Sequence, residues 1–242
     1  MELFSQFGMF FASRWLHILS GITWIGLLYY FNFVQVPSFA TMDAGARTEA
    51  IDKLASRALW WFRWAAVATV VTGVLILGFQ DPNGFDPDYW GTIQGSSILT
   101  GILMGIIMFL NVWGVIWRNQ KVVLASAAQV LAGGQPLPEA AAAGRKALLA
   151  SRTNAVLSIP MVWFMTFTSH FSGKYTNADG TLAYWLIVFA IVILVEANGL
   201  GLLAGTDPGP TKKPLETVRG AIISGFVVWV VLYLLWEVLF SF

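Results

Sequence analysis

The chain holds two histidines, His17 and His170, and both fall inside long apolar stretches. A neutral imidazole offers one ring nitrogen as a metal ligand. Two imidazoles on facing helices at similar depth can hold one b-type haem without any cysteine. Arg14 stands three residues before His17, on the same helical face and one turn nearer the helix start. Its guanidinium suits haem propionates or an anionic substrate, and the alternative is to reach out to lipid headgroups. Gly21 and Trp24 continue that face, with Gly21 leaving room either for a flat macrocycle or for close helix packing. On residues alone the histidines stay open to two readings: a haem pair, or one core residue and one interfacial residue. Asn111 and Glu196, with Asn198 beside it, also interrupt apolar runs. An acid so placed faces the bundle interior and is either protonated or paired, so both proton transfer and structural pairing are open to Glu196. Glu237, near the end of the last run, is expected to reach water.

The elements that carry these residues follow from composition. Of 242 residues, 57% are hydrophobic and only 11% charged, against about 25% charged in an ordinary soluble domain. Such a chain cannot coat a soluble surface, and disorder is excluded for the same reason. The absence of cysteine removes iron–sulfur clusters, thiolate zinc sites, cysteine nucleophiles and a covalently tethered c-type haem. A net charge of +1 with no basic run gives no nucleic-acid signal.

Six segments approach or exceed the roughly 20 apolar residues that cross a bilayer: 9–33, 59–79, 97–117, 155–171, 182–204 and 220–240. The fourth is short and is expected to begin further back, near Leu148. No segment alternates with period two, so the predicted fold is an all-α polytopic bundle of six transmembrane helices in a single domain. Twelve of the fourteen Lys and Arg residues fall in connections one–two, three–four and five–six or at their helix ends; only Arg14 and Lys174 do not. The 80–96 loop is acidic instead. The positive-inside rule therefore predicts both termini on the periplasmic side of a bacterial inner membrane, with His17 and His170 toward that face. The opening Met1-Glu2 has no basic n-region or cleavage site and does not read as a cleavable signal. The Ile51-Leu54-Ala58 pattern and the Lys121–Leu131 run predict helices extending from, or lying on, the membrane face. Gly101 and Gly105 form a small-xxx-small packing face, and most tryptophans are expected in interfacial belts.

Three stretches together carry a resemblance. They are Arg14-Trp15-Leu16-His17 with Gly21 through Gly26; Trp61-Phe62-Arg63-Trp64; and Asn111 through Asn119-Gln120-Lys121-Val122-Val123. The last continues by Arg152-Thr153-Asn154, Ile159-Pro160 and Phe164-Met165 to Ser169-His170. Over residues 10–172 this is similar to the membrane domain of the bacterial membrane-bound urate oxidase (urate hydroxylase) family. The opening alone also resembles a wider group of small copper-resistance-like and haem-binding membrane proteins. The resemblance places histidines of the family at His17 and His170, and matches Arg14, Trp24, Asn119, Gln120, Lys121 and Asn154. Family members carry additional helices between the second and third spans, further histidines, and a C-terminal cytochrome c, for none of which this sequence has a counterpart. What the resemblance implies is an integral membrane oxidoreductase that binds haem b through His17 and His170 and passes electrons to a separate c-type cytochrome. Departures from the pattern also fit a non-enzymatic accessory or assembly subunit of a larger respiratory or photosynthetic membrane complex. A transporter finds no support in an inverted repeat or in paired broken helices.

Overall fold

The computed structural model describes residues 2–241. Six helices in it are long and apolar enough to cross a membrane: α1 (Gln6–Thr41), α2 (Ala44–Phe79), α3 (Ile93–Leu131), α4 (Ala140–His170), α5 (Thr181–Gly199) and α6 (Val218–Phe240). No strand occurs among the described residues. Hydroxyl side chains stop three of the helices from fraying at their starts. Ser5 accepts from the Gly8 N–H at 3.1 Å, Thr92 from Gly95 at 2.9 Å, and Thr217 from Gly220 at 2.9 Å.

The first three helices have 36, 36 and 39 residues, well beyond the roughly 20 that fill the hydrocarbon. The apolar runs at 9–33, 59–79 and 97–117 are thus parts of longer helices whose additional turns lie mostly at the cation-rich end. The fourth span does begin further back, at Ala140, while the fifth ends at Gly199 rather than 204. Each of the three long helices contains a π-helical stretch near that same end: Tyr30–Gln35 in α1, Ile51–Ala55 in α2 and Asn111–Ile116 in α3. Such widened turns are rare and turn the residues on either side to different faces.

α4 is the hub. Every side chain from Arg152 to Ser158 is buried, and the helix packs on α3, α6, α1 and α5. Pro160 lies inside it and gives the Val156 carbonyl no backbone donor. Gly101 of α3 lets Met165 of α4 close in, which is the packing role expected of the small-residue pattern. Tryptophans are not confined to the rims. Trp24 and Trp236 are buried, and Trp236 meets Phe164, Phe167 and Tyr184 edge-on or tilted. A large indole fills interhelical volume as well as it anchors at an interface. Glu237 does not simply reach water, since Tyr175, Tyr233 and Ser241 all donate hydroxyls to its carboxylate.

Candidate functional site

His17 sits half-buried between α1 and α2. Its Nδ1 lies 2.8 Å from the Thr69 carbonyl oxygen and 3.3 Å from the Thr72 hydroxyl. A carbonyl can only accept, so the proton is on Nδ1 and the lone pair is on Nε2. Gly73 makes the seat possible, because a Cβ there would meet the ring at 3.2 Å. Gly21, by contrast, faces open space, with nothing within 4 Å of where its Cβ would stand. Trp24, two turns along the same face, is 2% exposed, and its indole N–H has no partner. Arg14 is exposed and lies over the Phe10 ring at 4.4 Å. It lines a cleft of about 510 Å³ at the cation-poor end with Gln6, Gln80, Tyr89 and Gln94.

His170 is exposed at the end of α4, and no hydrogen bond joins it to His17. Tyr29 and Ser158 hydrogen-bond at 2.9 Å and mark the sides on which α1 and α4 face each other. His17 precedes Tyr29 by twelve residues, and His170 follows Ser158 by twelve. At 1.5 Å per residue both imidazoles therefore stand about 18 Å from that rung, at matching depth. Twelve residues also turn each helix about 120° past whole turns. Both steps rise toward the same end of the bundle and both helices are right-handed, so equal turns from facing positions carry the two side chains to opposite sides of the plane through both helices. The packing agrees: His17 rests on α2, whereas His170 continues the stripe of Ile159 and Trp163, which packs on Gly225, Trp229 and Tyr233 of α6. By this register the pair matches in depth, with the two rings set at different helix interfaces. His17 by itself has the tautomer of a ligand.

The other polar candidates converge instead. Asn111 Nδ2 donates to Asn154 Oδ1 at 2.9 Å and to Glu196 Oε2 at 3.0 Å, and Asn154 Nδ2 donates to the Met108 carbonyl at 3.0 Å. Three helices thus meet through two amides and a carboxylate. α5 comes this close because Gly199 presses on Thr153, whose hydroxyl would lie 1.9 Å from any Cβ there. No Lys or Arg pairs with Glu196 among the described residues, and the Asn111 amide is the donor that meets its carboxylate. Of the remaining candidates, Asn119 donates to the Val115 carbonyl within its own helix. Gln120 lines a cavity at the cation-rich end.

Two cations assigned by sequence to the loops are not solvated. Arg152 is 3% exposed and donates to Asn32 Oδ1 at 3.0 Å and to the Leu215 carbonyl at 3.1 Å. Lys212 is 0% exposed and donates at 2.7 Å both to Asn198 Oδ1 and to the Leu203 carbonyl; burial lowers its pKa. Beside them Arg145 forms a two-pronged pair with Glu216 and also holds the Thr206 carbonyl at 2.9 Å. Its guanidinium keeps the Glu216 carboxyl below the usual carboxylate range. Sequence reasoning missed Asn32, Thr69 and Gly73, and the burial of Arg152; the Arg152-Thr153-Asn154 run was the available signal.

A bundle with six helices long and apolar enough to cross a membrane, stitched by buried amide and carboxylate contacts, has the build of a polytopic membrane protein with polar groups between its helices. Residues 90–199 match the model of the family described as urate oxidase N-terminal, so this part of the chain is urate oxidase-like. The match runs from the end of the 80–92 loop to the last residue of α5, further than the resemblance at residue 172. It contains Asn111, Asn154, Glu196 and His170. No curated relative and no solved structure matches the chain.

Proposed function

We propose that this chain is an integral membrane redox protein of the urate oxidase-like kind, with His17 as protein ligand to a b-type haem and a separate c-type cytochrome as electron acceptor. The observation that carries the reading is the bond from His17 Nδ1 to the Thr69 carbonyl. Metal-bound histidines commonly donate their second ring N–H in this way, which fixes the ring and frees the other nitrogen. The group, when bound, supplies one-electron chemistry. The chain's own residues orient the imidazole through Thr69 and Gly73, and Arg14 offers a cation toward carboxylates at the same end. Within the urate oxidase-like stretch, Glu196 is the group that takes up or releases a proton, and the Asn111 amide holds it in place. With the cation-rich end in the cytoplasm of a bacterial inner membrane, His17 lies toward the periplasm, where a soluble c-type cytochrome reaches it.

The test is a reduced-minus-oxidised absorption spectrum of the purified full chain. A Soret band that disappears in His17→Ala and persists in His170→Ala is expected. A colourless, folded protein refutes haem binding, and equal loss in both variants refutes the assignment to His17 alone.

A further inference from the structure

Two of the π-helical stretches, Tyr30–Gln35 and Asn111–Ile116, contribute walls to one partly enclosed cavity at the cation-rich end. Its volume is about 190 Å³, and a cavity of about 150 Å³ is known to take up benzene, so one substituted six-membered ring fits. The walls are of two kinds. Phe31, Phe62, Leu59 and Ile116 supply apolar faces, while Gln35, Gln120, Asn32 and Ser151 supply amide and hydroxyl groups. No charged side chain lines it. The Gln35 Oε1 atom is buried and has no hydrogen-bond partner, an unusual cost inside a protein and one that a bound donor would remove. Asn32 is committed elsewhere, donating to Leu28 and Ser151 and accepting from Arg152, so it forms a fixed wall.

We propose that this cavity is a binding site for the headgroup of a membrane quinone or quinol. The ligand it selects is uncharged, since no ion lines the walls. It is flat and largely apolar, to pack against the wall formed by the edge-to-face Phe31–Phe62 pair with Leu59 and Ile116, and it bears oxygen atoms at its edge to meet Gln35 and Gln120. A quinol hydroxyl would donate to the Gln35 carbonyl oxygen. With the amide turned over, its N–H would meet a quinone carbonyl, so one side chain serves both redox forms. The position near the end of the bundle suits a headgroup whose tail stays in the bilayer, and π-helical turns often occur at functional sites. The proposal stands apart from the haem reading, because the cavity shares no residue with the His17 seat.

The test is calorimetric titration of the purified full chain in lipid nanodiscs with a decyl-substituted dimethoxy-methyl-benzoquinone, with empty nanodiscs as the blank. Saturable binding above the blank is expected. Gln35→Leu and Gln120→Leu should each weaken it about tenfold, as loss of one hydrogen bond does. Ala147→Leu, which adds side-chain volume at the cavity wall, should abolish it. If Gln35→Leu fails to fold, the other two variants carry the test. Heat no greater than that of empty discs overturns the proposal. So does undiminished binding in both glutamine variants, or equal binding of decylbenzene, which would mark the cavity as an acyl-chain pocket. None of these readouts depends on a haem spectrum, so failure here and failure of the redox reading are distinguishable.

Discussion

His17 and Thr69 face each other across the α1–α2 interface, with the imidazole Nδ1 held 2.8 Å from the Thr69 backbone oxygen. Because the acceptor is main chain, no substitution at Thr69 removes it, and the ring's seat is tested through Gly73 instead. In Gly73→Val a Cβ would stand 3.2 Å from His17 Cε1, and two methyl groups would add to the clash. The imidazole must tilt out of its bond. Overpacking of this kind costs about 1–3 kcal/mol. Reduced stability to denaturing detergent and a shifted or lost haem spectrum are expected, and an unaltered spectrum would show that the Thr69 bond is dispensable.

Asn111 joins Asn154 and Glu196, so its loss leaves two acceptors short of a donor. Asn111→Leu should destabilise the chain by about 1–3 kcal/mol, the cost of leaving a buried polar group unsatisfied. Adding Glu196→Leu should recover part of that loss, since replacing both partners removes the unsatisfied carboxylate. Detergent unfolding of the two single variants and the double variant measures the coupling. Strict additivity would count against direct interaction.

The Arg145–Glu216 pair gives the 200–217 connection a pH dependence with a definite sign. The folded-state pKa of Glu216 lies below its ordinary value, near 4.3 for a free glutamate. Its contribution is therefore complete above about pH 4.3 and disappears as the pH falls through the lower folded value. Limited proteolysis within residues 200–217 should accelerate below pH 4. A Glu216→Gln variant should show fast cleavage already at neutral pH and little further change.

Neighbouring lysines at 212 and 213 should behave oppositely toward an amine-reactive reagent. Lys213 is exposed, whereas Lys212 is fully buried against Asn198 and Leu203. Mass spectrometry after brief labelling at neutral pH should find Lys213 modified and Lys212 protected. Lys212 should become reactive only when Arg145→Ala loosens the connection. Equal labelling of both in the unaltered chain would contradict the burial.

The span count and the end that gathers the cations follow from runs of apolar residues and from where charge is spared, features that single residues carry in their type. Contacts between distant residues do not have this property. Asn111, Asn154 and Glu196 each stand out as polar residues in apolar surroundings, yet their meeting depends on how α3, α4 and α5 rotate, and they lie 43 and 85 positions apart. The same holds for His17 and His170: equal depth is readable by counting, whereas the side of the helix each occupies depends on rotation, which the Tyr29–Ser158 contact marks. Arg152 was counted with the loop cations because the apolar run starts only at residue 155, while α4 itself starts fifteen residues earlier. The π-helical stretches have no compositional sign, so the cavity that two of them help to line was invisible.

The position of α4 in the chain has a consequence for biosynthesis. The helix that satisfies most buried polar partners is the fourth to emerge from the ribosome. Until it arrives, the Asn32 carbonyl oxygen lacks the Arg152 donor and the Asn111 amide lacks the Asn154 acceptor. Insertion of α4 then closes both at once, and the 200–217 connection follows by accepting from Arg145 and Arg152 through Glu216 and the Leu215 carbonyl. A chain stalled after its third helix would therefore leave Asn111 without Asn154 and Glu196, while the Asn32 amide keeps its bond to the Leu28 carbonyl in its own helix.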